Sequence, residues 1–324
     1  MQTPLKTSLE LERKVKFKHT PIMLNEVISG LNIKKDGIYV DCTVGGGGHS
    51  YEIARRLKTG KLYAFYRDEE AIVASKNRLK EFKCVEYFKA NFKDAPEILK
   101  EHGVEKVDGV LIDLGVSSHQ IDDENRGFSF LHNGKLDMRM GQDEDVLTAY
   151  DVVNTYSEEK LKEIFYKYGE EEFSKVIARN IVKARKEKKI ETTFELRDII
   201  EASLPKKVVY SRGGASKKVF QAIRIEVNKE LTGLDKVLND FIDMLSLSGR
   251  FAVLSFHSLE DRIVKEVFKR ESTNCLCPPK TPICICHHKA KIKLVNRKPI
   301  MASEEERKEN SRSTSAKLRI AERI

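Results

Sequence analysis

The chain reads as a doubly wound, mostly parallel α/β sheet with a helical unit inserted into it. Three observations predict this. Strand and helix signals alternate through residues 38–112, and a βαβα order argues for parallel strands with helices on both faces. The first strand runs into Gly45-Gly-Gly-Gly48 just ahead of a helical segment, the order that builds a nucleotide-sized cradle at the carboxyl ends of such strands. The strand rhythm then stops near Asp122 and returns only at Arg250, with a charge-dense helical stretch between.

Taken in order, residues 1–18 are a basic, loosely ordered arm, and residues 21–31 an amphipathic helix with Ile22, Val27, Ile28 and Leu31 apolar. Strands are expected at 38–40, 61–65, 85–88 and 107–112, with helices near 50–57, 69–82 and 94–102. Residues 150–203 read as almost wholly helical. A fifth strand falls at 250–256, and segments 291–295 and 316–321 read as late strands that close the sheet as an antiparallel pair. The division that follows is an arm at 1–18, a sheet domain from 19–121 and 220–324, and a helical insertion over 122–219.

Composition sets the class of partner. With 324 residues and 40% hydrophobic content, the chain can bury one large core, or one core plus a smaller domain. A net charge of +9 and a pI near 9.0 favour a polyanionic partner without identifying it. No apolar run approaches the ~18 residues of a membrane span, and Met1 to Ser8 lack a secretory apolar region. A cytoplasmic protein is the expectation.

Glycine has no Cβ, so Gly45, Gly47 and Gly48 let backbone approach a ligand closely, while the following helix aims its N–H groups at it. The alternative is a flexible linker, against which Asp41 and the flanking strand and helix stand in the expected order. The pattern is not a strict dinucleotide fingerprint, because its third glycine would fall at Ser50. That weakens a nicotinamide reading and leaves room for a smaller adenosyl ligand. Such sites also want an acid about twenty positions on for the ribose hydroxyls. Here Tyr66 holds that position and Asp68 lies two residues further. A phenol offers one donor where a carboxylate accepts from both hydroxyls.

The fourth strand ends in Asp113, followed by Gly115, Ser117, Ser118, His119 and Gln120, where a doubly wound sheet places its ligand. An Asp that merely caps the next turn is the competing account. Segments 126–130 and 136–140 mix arginine with aromatic and thioether groups, suited to gripping a nucleotide and equally to packing under a loop. After the fifth strand come His257 and Ser258, then Glu260 and Asp261 opening a helix. A Ser/His hydrolase would need a nucleophile elbow, which is missing. Cys275, Cys277, Cys284 and Cys286 could hold zinc tetrahedrally; the alternatives are a plain surface loop or, less readily in a reducing cytosol, a disulfide.

Segments 19–27, 40–50, 113–122, 126–130, 136–140, 255–265 and 311–322 together resemble the MraW (RsmH) family of bacterial 16S rRNA cytosine-N4 methyltransferases, over nearly the whole chain from about residue 18. The resemblance implies a class I, Rossmann-like methyltransferase that uses S-adenosylmethionine and acts on the small ribosomal subunit, at cytosine 1402 of its RNA. It also suggests a homodimer. Carried over by position, the cofactor contacts are Gly47, Gly48, His49, Phe92, Asp113 and Gln120, and the family's ribose-binding aspartate aligns with Tyr66.

Cytosine N4 is a poor nucleophile because its lone pair is delocalised into the ring. An acceptor for an N4–H would localise that pair and tell cytosine from uracil. Asp113 is the first candidate, with Ser117, Ser118 and His257 behind it. The competing readings are a nicotinamide-dependent dehydrogenase and a non-catalytic ribosome-binding factor with a degenerate cofactor site.

Overall fold

The computed structural model describes residues 21–324 except 142–145, 212–215, 279, 280 and 282. The expected arm at 1–18 lies outside the described residues.

Eight strands form one sheet in the order β3-β2-β1-β4-β5-β8-β6, with β7 also on β8. They are β1 (Ile38–Asp41), β2 (Lys61–Tyr66), β3 (Val85–Lys89), β4 (Val107–Asp113), β5 (Leu245–Ser255), β6 (Ile292–Leu294), β7 (Ile300–Met301) and β8 (Lys317–Arg323). The first five run parallel to one another, and β8 pairs antiparallel with β5, β6 and β7. The sheet is thus the doubly wound, mostly parallel one expected, and the two late strands pair antiparallel as read. β7 was not anticipated, since two residues carry too little periodicity to see.

Alternation along each strand splits the core in two. Val40, Tyr63, Phe65, Val110, Ile112, Phe251 and Val253 face one layer, with helices Ala95–Glu101, Leu234–Met244 and Ser258–Glu271 over them. Tyr39, Leu62, Ala64, Leu111, Ala252, Leu254, Leu318 and Ile320 face the other, under helices Leu24–Leu31 and Gly48–Ala54. Period-two placement of apolar residues on both faces is what a sheet buried on both sides demands. β5 begins five residues earlier than expected. Its polar start, with Ser246 and Ser248 around Leu247, masks the strand, and the register against β4 shifts between Val107 and Gly109.

The insertion has its own core, built on Leu161, Phe165, Ile177, Ile181, Leu196 and Ile200. Helix Ser216–Asn228 runs straight through the expected 219/220 join, and its Val219, Phe220, Ile223 and Val227 pack in that core. By packing, the insertion therefore extends to Asn228.

Candidate active site

Strand order reverses direction between β1 and β4, and at such a switch point two adjacent strand ends diverge and leave a crevice. A cleft of about 480 Å³ opens there. Its floor is the β1 loop (Thr43, Gly45, Gly46, Gly48, His49) and the β4 end (Asp113 to Ser118), and its far wall comes from the insertion (Gly169, Glu170, Lys217, Lys218, Gln221, Arg224). A side lobe of about 60 Å³ continues past Tyr66 to Ala90, Phe92, Leu114, Gln120, Met140 and Asn228. Thr43, Tyr66, Leu114 and Gly115 line both spaces.

The glycines do separate jobs. A Cβ on Gly48 would come within 2.1 Å of Pro21 Cγ, so the cradle closes only around a bare Cα. Gly47, at φ 74°, turns the chain into helix Gly48–Ala54. A Cβ there would crowd Ser75 Oγ at 2.9 Å and Leu79 Cδ1 at 3.3 Å. Gly47 thus shapes the cradle through its backbone turn.

Asp41, an expected contact, lines neither lobe. It is buried, accepts from Thr43 N–H at 3.0 Å and from the Ser50 hydroxyl at 2.6 Å, and so pins the glycine loop to its helix. Burial raises its pKa to about 6 against those two hydrogen bonds.

Asp113 reaches the cleft as expected. Its backbone N–H donates to Thr43 Oγ1 at 2.7 Å, tying the ends of β1 and β4 together. Burial, then the nearby Asp41 and Glu260 carboxylates, push its pKa up to about 8. Oδ2 lies 3.8 Å from His49 Nδ1, while Oδ1 is buried with no hydrogen-bond partner among the described residues. A buried acceptor left open in a cleft is available to a ligand donor. His49 is held by its other nitrogen, 3.1 Å from Ile22 O.

Ser117 and Ser118 line the cleft at the start of the short helix after β4, but Ser117 accepts from Gln120 N–H as its cap and contacts the Tyr66 phenol. Its hydroxyl is structural. His257 also lines the cleft, with Nε2 3.1 Å from Glu260 Oε1 and 3.9 Å from Glu230 Oε2. Burial alone would lower its pKa. The Glu230 and Glu260 carboxylates outweigh this and raise it to about 9, so at neutral pH the ring carries its proton and is no general base. Arg224 holds Glu230 in a two-pronged pair at 2.8 and 2.9 Å. Sequence reading missed Arg224 and Glu230 because nothing local marks them; only the fold brings helix Ser216–Asn228 against His257.

Phe92 and Gln120 stand in the side lobe as expected. Gln120 Nε2 donates to Asp68 Oδ2 and Met140 O. Tyr66 lines both lobes, and burial raises its pKa to about 12, so it meets a ribose as a neutral phenol. Asp68 cannot take over as the missing acid, since Arg126, 2% exposed, donates to its Oδ2 at 2.9 Å. Arg126 also donates to Arg139 O and Met140 O. Together with buried Phe128 and Met138, this makes segments 126–130 and 136–140 packing elements rather than nucleotide grips.

The lining suits an adenosyl sulfonium. The glycine cradle and the open Asp113 oxygen share one cleft, and Phe92, Leu114 and Met140 line its side lobe. At the position expected to hold the ribose acid stands Tyr66. The four late cysteines line neither lobe.

Residues 16–324 match the family model described as the MraW methylase family. A "Ribosomal RNA small subunit methyltransferase H" of Finegoldia magna is 52% identical over 312 residues, 96% of this chain and 100% of the relative. The protein of the same description from Clostridium botulinum (strain Loch Maree / Type A3) is 51% identical over 311 residues, with 96% and 100% covered. Among solved structures, an rRNA methylase from Streptococcus thermophilus aligns over 99% of both chains with TM-score 0.38 and 11% identity.

Proposed function

The chain belongs to the MraW methylase family, whose methyl donor is S-adenosylmethionine, and from that premise we propose that it methylates the exocyclic N4 of a decoding-region cytosine in 16S rRNA. The observation that carries the proposal is Asp113, whose Oδ1 is buried and open in the same cleft as the glycine cradle. The names of the relatives, small-subunit rRNA methyltransferases, support the RNA.

When bound, S-adenosylmethionine supplies an electrophilic methyl group on a sulfonium. The protein supplies position and polarity. Asp113 accepts one N4–H, which draws the lone pair out of the ring and turns it toward the cleft. Uracil would present O4, an acceptor, to the same oxygen and be repelled. As the new C–N bond forms and the methyl–sulfur bond breaks, N4 becomes cationic and sheds a proton; Asp113 Oδ1 can take it because a sulfonium in the cleft would draw its raised pKa back down and leave it a carboxylate. Holding two partners in line accounts for much of the rate. The cytosine must leave its stack to enter the cleft, and the basic wall at Lys217 and Lys218 suits the RNA backbone.

The test is methyl transfer from labelled S-adenosylmethionine into small-subunit RNA, followed by nucleoside mass spectrometry. N4-methylcytidine is expected from the wild type, and Asp113→Ala should lose about 100-fold or more while keeping its fold. A methyl group on another base or atom, or full activity in Asp113→Ala, would overturn the assignment. The nicotinamide reading falls with membership of a methylase family. A non-catalytic ribosome-binding factor keeps one observation in its favour, Tyr66 in place of the ribose acid.

A further inference from the structure

Helix Ser258–Glu271 and β6 are joined by a long loop with little regular structure and, among its described residues, no buried apolar side chain. Its large aliphatic side chains point outward: Leu276 is 45% exposed, Ile283 77% and Ile285 75%. Its base is tied by Lys291 N–H to Glu271 O, by the His288 ring to Arg270 O and by Ala290 N–H to Asn274 Oδ1. Above that base, what gathers the loop is four thiols. A stretch of chain that buries almost nothing needs a covalent or metal staple to hold one conformation.

We propose that Cys275, Cys277, Cys284 and Cys286 form a closed tetrahedral zinc site. Their sulfurs all lie within 4.8 Å of one another. Four of the separations are 3.5 Å (Cys275–Cys284), 3.6 Å (Cys284–Cys286), 3.9 Å (Cys275–Cys286) and 4.0 Å (Cys277–Cys284). Zinc bound at ~2.3 Å to four thiolates spaces its sulfurs at about 3.8 Å, the middle of that range. A disulfide needs about 2.05 Å, and all six cysteines of the chain are free thiols.

The backbone supports the same arrangement. Leu276, the middle residue of one Cys-x-Cys arm, donates its N–H to Cys286 Sγ at 3.2 Å, and Ile285, the middle of the other, donates to Cys277 Sγ at 3.4 Å. Each arm thus steadies a sulfur of the opposite arm, as second-shell donors do for metal thiolates. His287, at φ 51°, turns the chain back directly after the last sulfur. His288 is spent on Arg270 O and is no ligand. Four protein ligands leave no open position, so the ion is structural and takes no part in methyl transfer. Binding displaces the thiol protons to solvent and involves no redox change.

The experiment uses the full chain, purified with a reductant and without chelator. Metal analysis should find about one zinc per chain. Cobalt(II) added to the stripped protein should give the intense visible bands and sulfur charge-transfer absorption of a tetrahedral tetrathiolate. Cys284→Ser and Cys286→Ser should each weaken cobalt(II) binding at least ~10-fold, with unchanged far-ultraviolet circular dichroism, because the loop lies outside both sheet cores. Stripping zinc should speed proteolytic nicking between residues 273 and 291. Purified protein with no stoichiometric zinc whose four thiols all react freely would overturn the proposal. So would an intact mass lower by two hydrogens per cysteine pair, or a weak cobalt(II) spectrum of octahedral type.

Discussion

Asp113 sits in a place hostile to its own charge, and its stability effect has a definite sign. Its pKa is about 8 in the folded chain against 3.8 as an ordinary side chain, so between those values the folded state holds a proton that the unfolded chain has lost. Its contribution to stability is complete below about pH 4 and disappears as pH rises through 8. Asp113→Asn, which cannot ionise, should therefore exceed the wild type by about 1–3 kcal/mol at pH 8, with a margin that shrinks toward pH 4. Thermal melts across that range check it, and a margin independent of pH would show an ordinary carboxylate. Tyr66 asks a different question, because a phenol makes one ribose hydrogen bond where an acid makes two. Tyr66→Asp should tighten S-adenosylmethionine binding about tenfold, the worth of one charge-assisted bond of ~1.5 kcal/mol. Calorimetry on both proteins measures it. No heat from the wild type with binding restored in the variant would favour the non-catalytic factor.

At the level of elements, sequence and structure agree where a local rule decides. β1 to β4 were legible within a residue or so because alternating apolar positions are a local signal, and the glycine cradle was legible because backbone geometry dictates glycine. What stayed hidden depends on partners distant in the chain. From its neighbours Arg126 read equally as a nucleotide grip or as packing, and only its partner Asp68, 58 positions away, decides for packing. Asp41 looked like a ligand contact, yet Ser50 and Thr43 claim both its oxygens. The Arg126 reading has a consequence for stability. Removing one member of a buried pair strands the other charge and costs about 3–5 kcal/mol, so Arg126→Ala should lower the midpoint of urea denaturation by that equivalent. A loss under 1 kcal/mol would mean that solvent reaches Asp68.

Across the whole molecule, the cleft exists because the insertion leans over the sheet. Glu170 Oε2 accepts from the Ser258 hydroxyl at 2.7 Å and Oε1 from Arg262 at 3.1 Å, which clasps the insertion to helix Ser258–Glu271. Composition showed that a helical unit interrupts the sheet, but not which of its faces closes the site, since that depends on where helix Ser216–Asn228 packs. That face carries Lys217 and Lys218 at the rim, on a chain of net charge +9. Lys218 Nζ is engaged with Glu170 O at 2.7 Å, whereas Lys217 is exposed and is the better probe. If RNA enters over this wall, Lys217 neutralises phosphate and releases counterions on binding. Lys217→Ala should then weaken binding of small-subunit RNA several-fold and reduce the slope of log affinity against log salt by about 0.7–0.9. Its affinity for S-adenosylmethionine should stay unchanged, because Lys217 lies across the cleft from the glycine cradle. Titrations of RNA at several salt concentrations, beside calorimetry with the cofactor, separate the two effects. An unaltered slope would place the RNA on another face and leave the insertion as a lid over the cofactor alone.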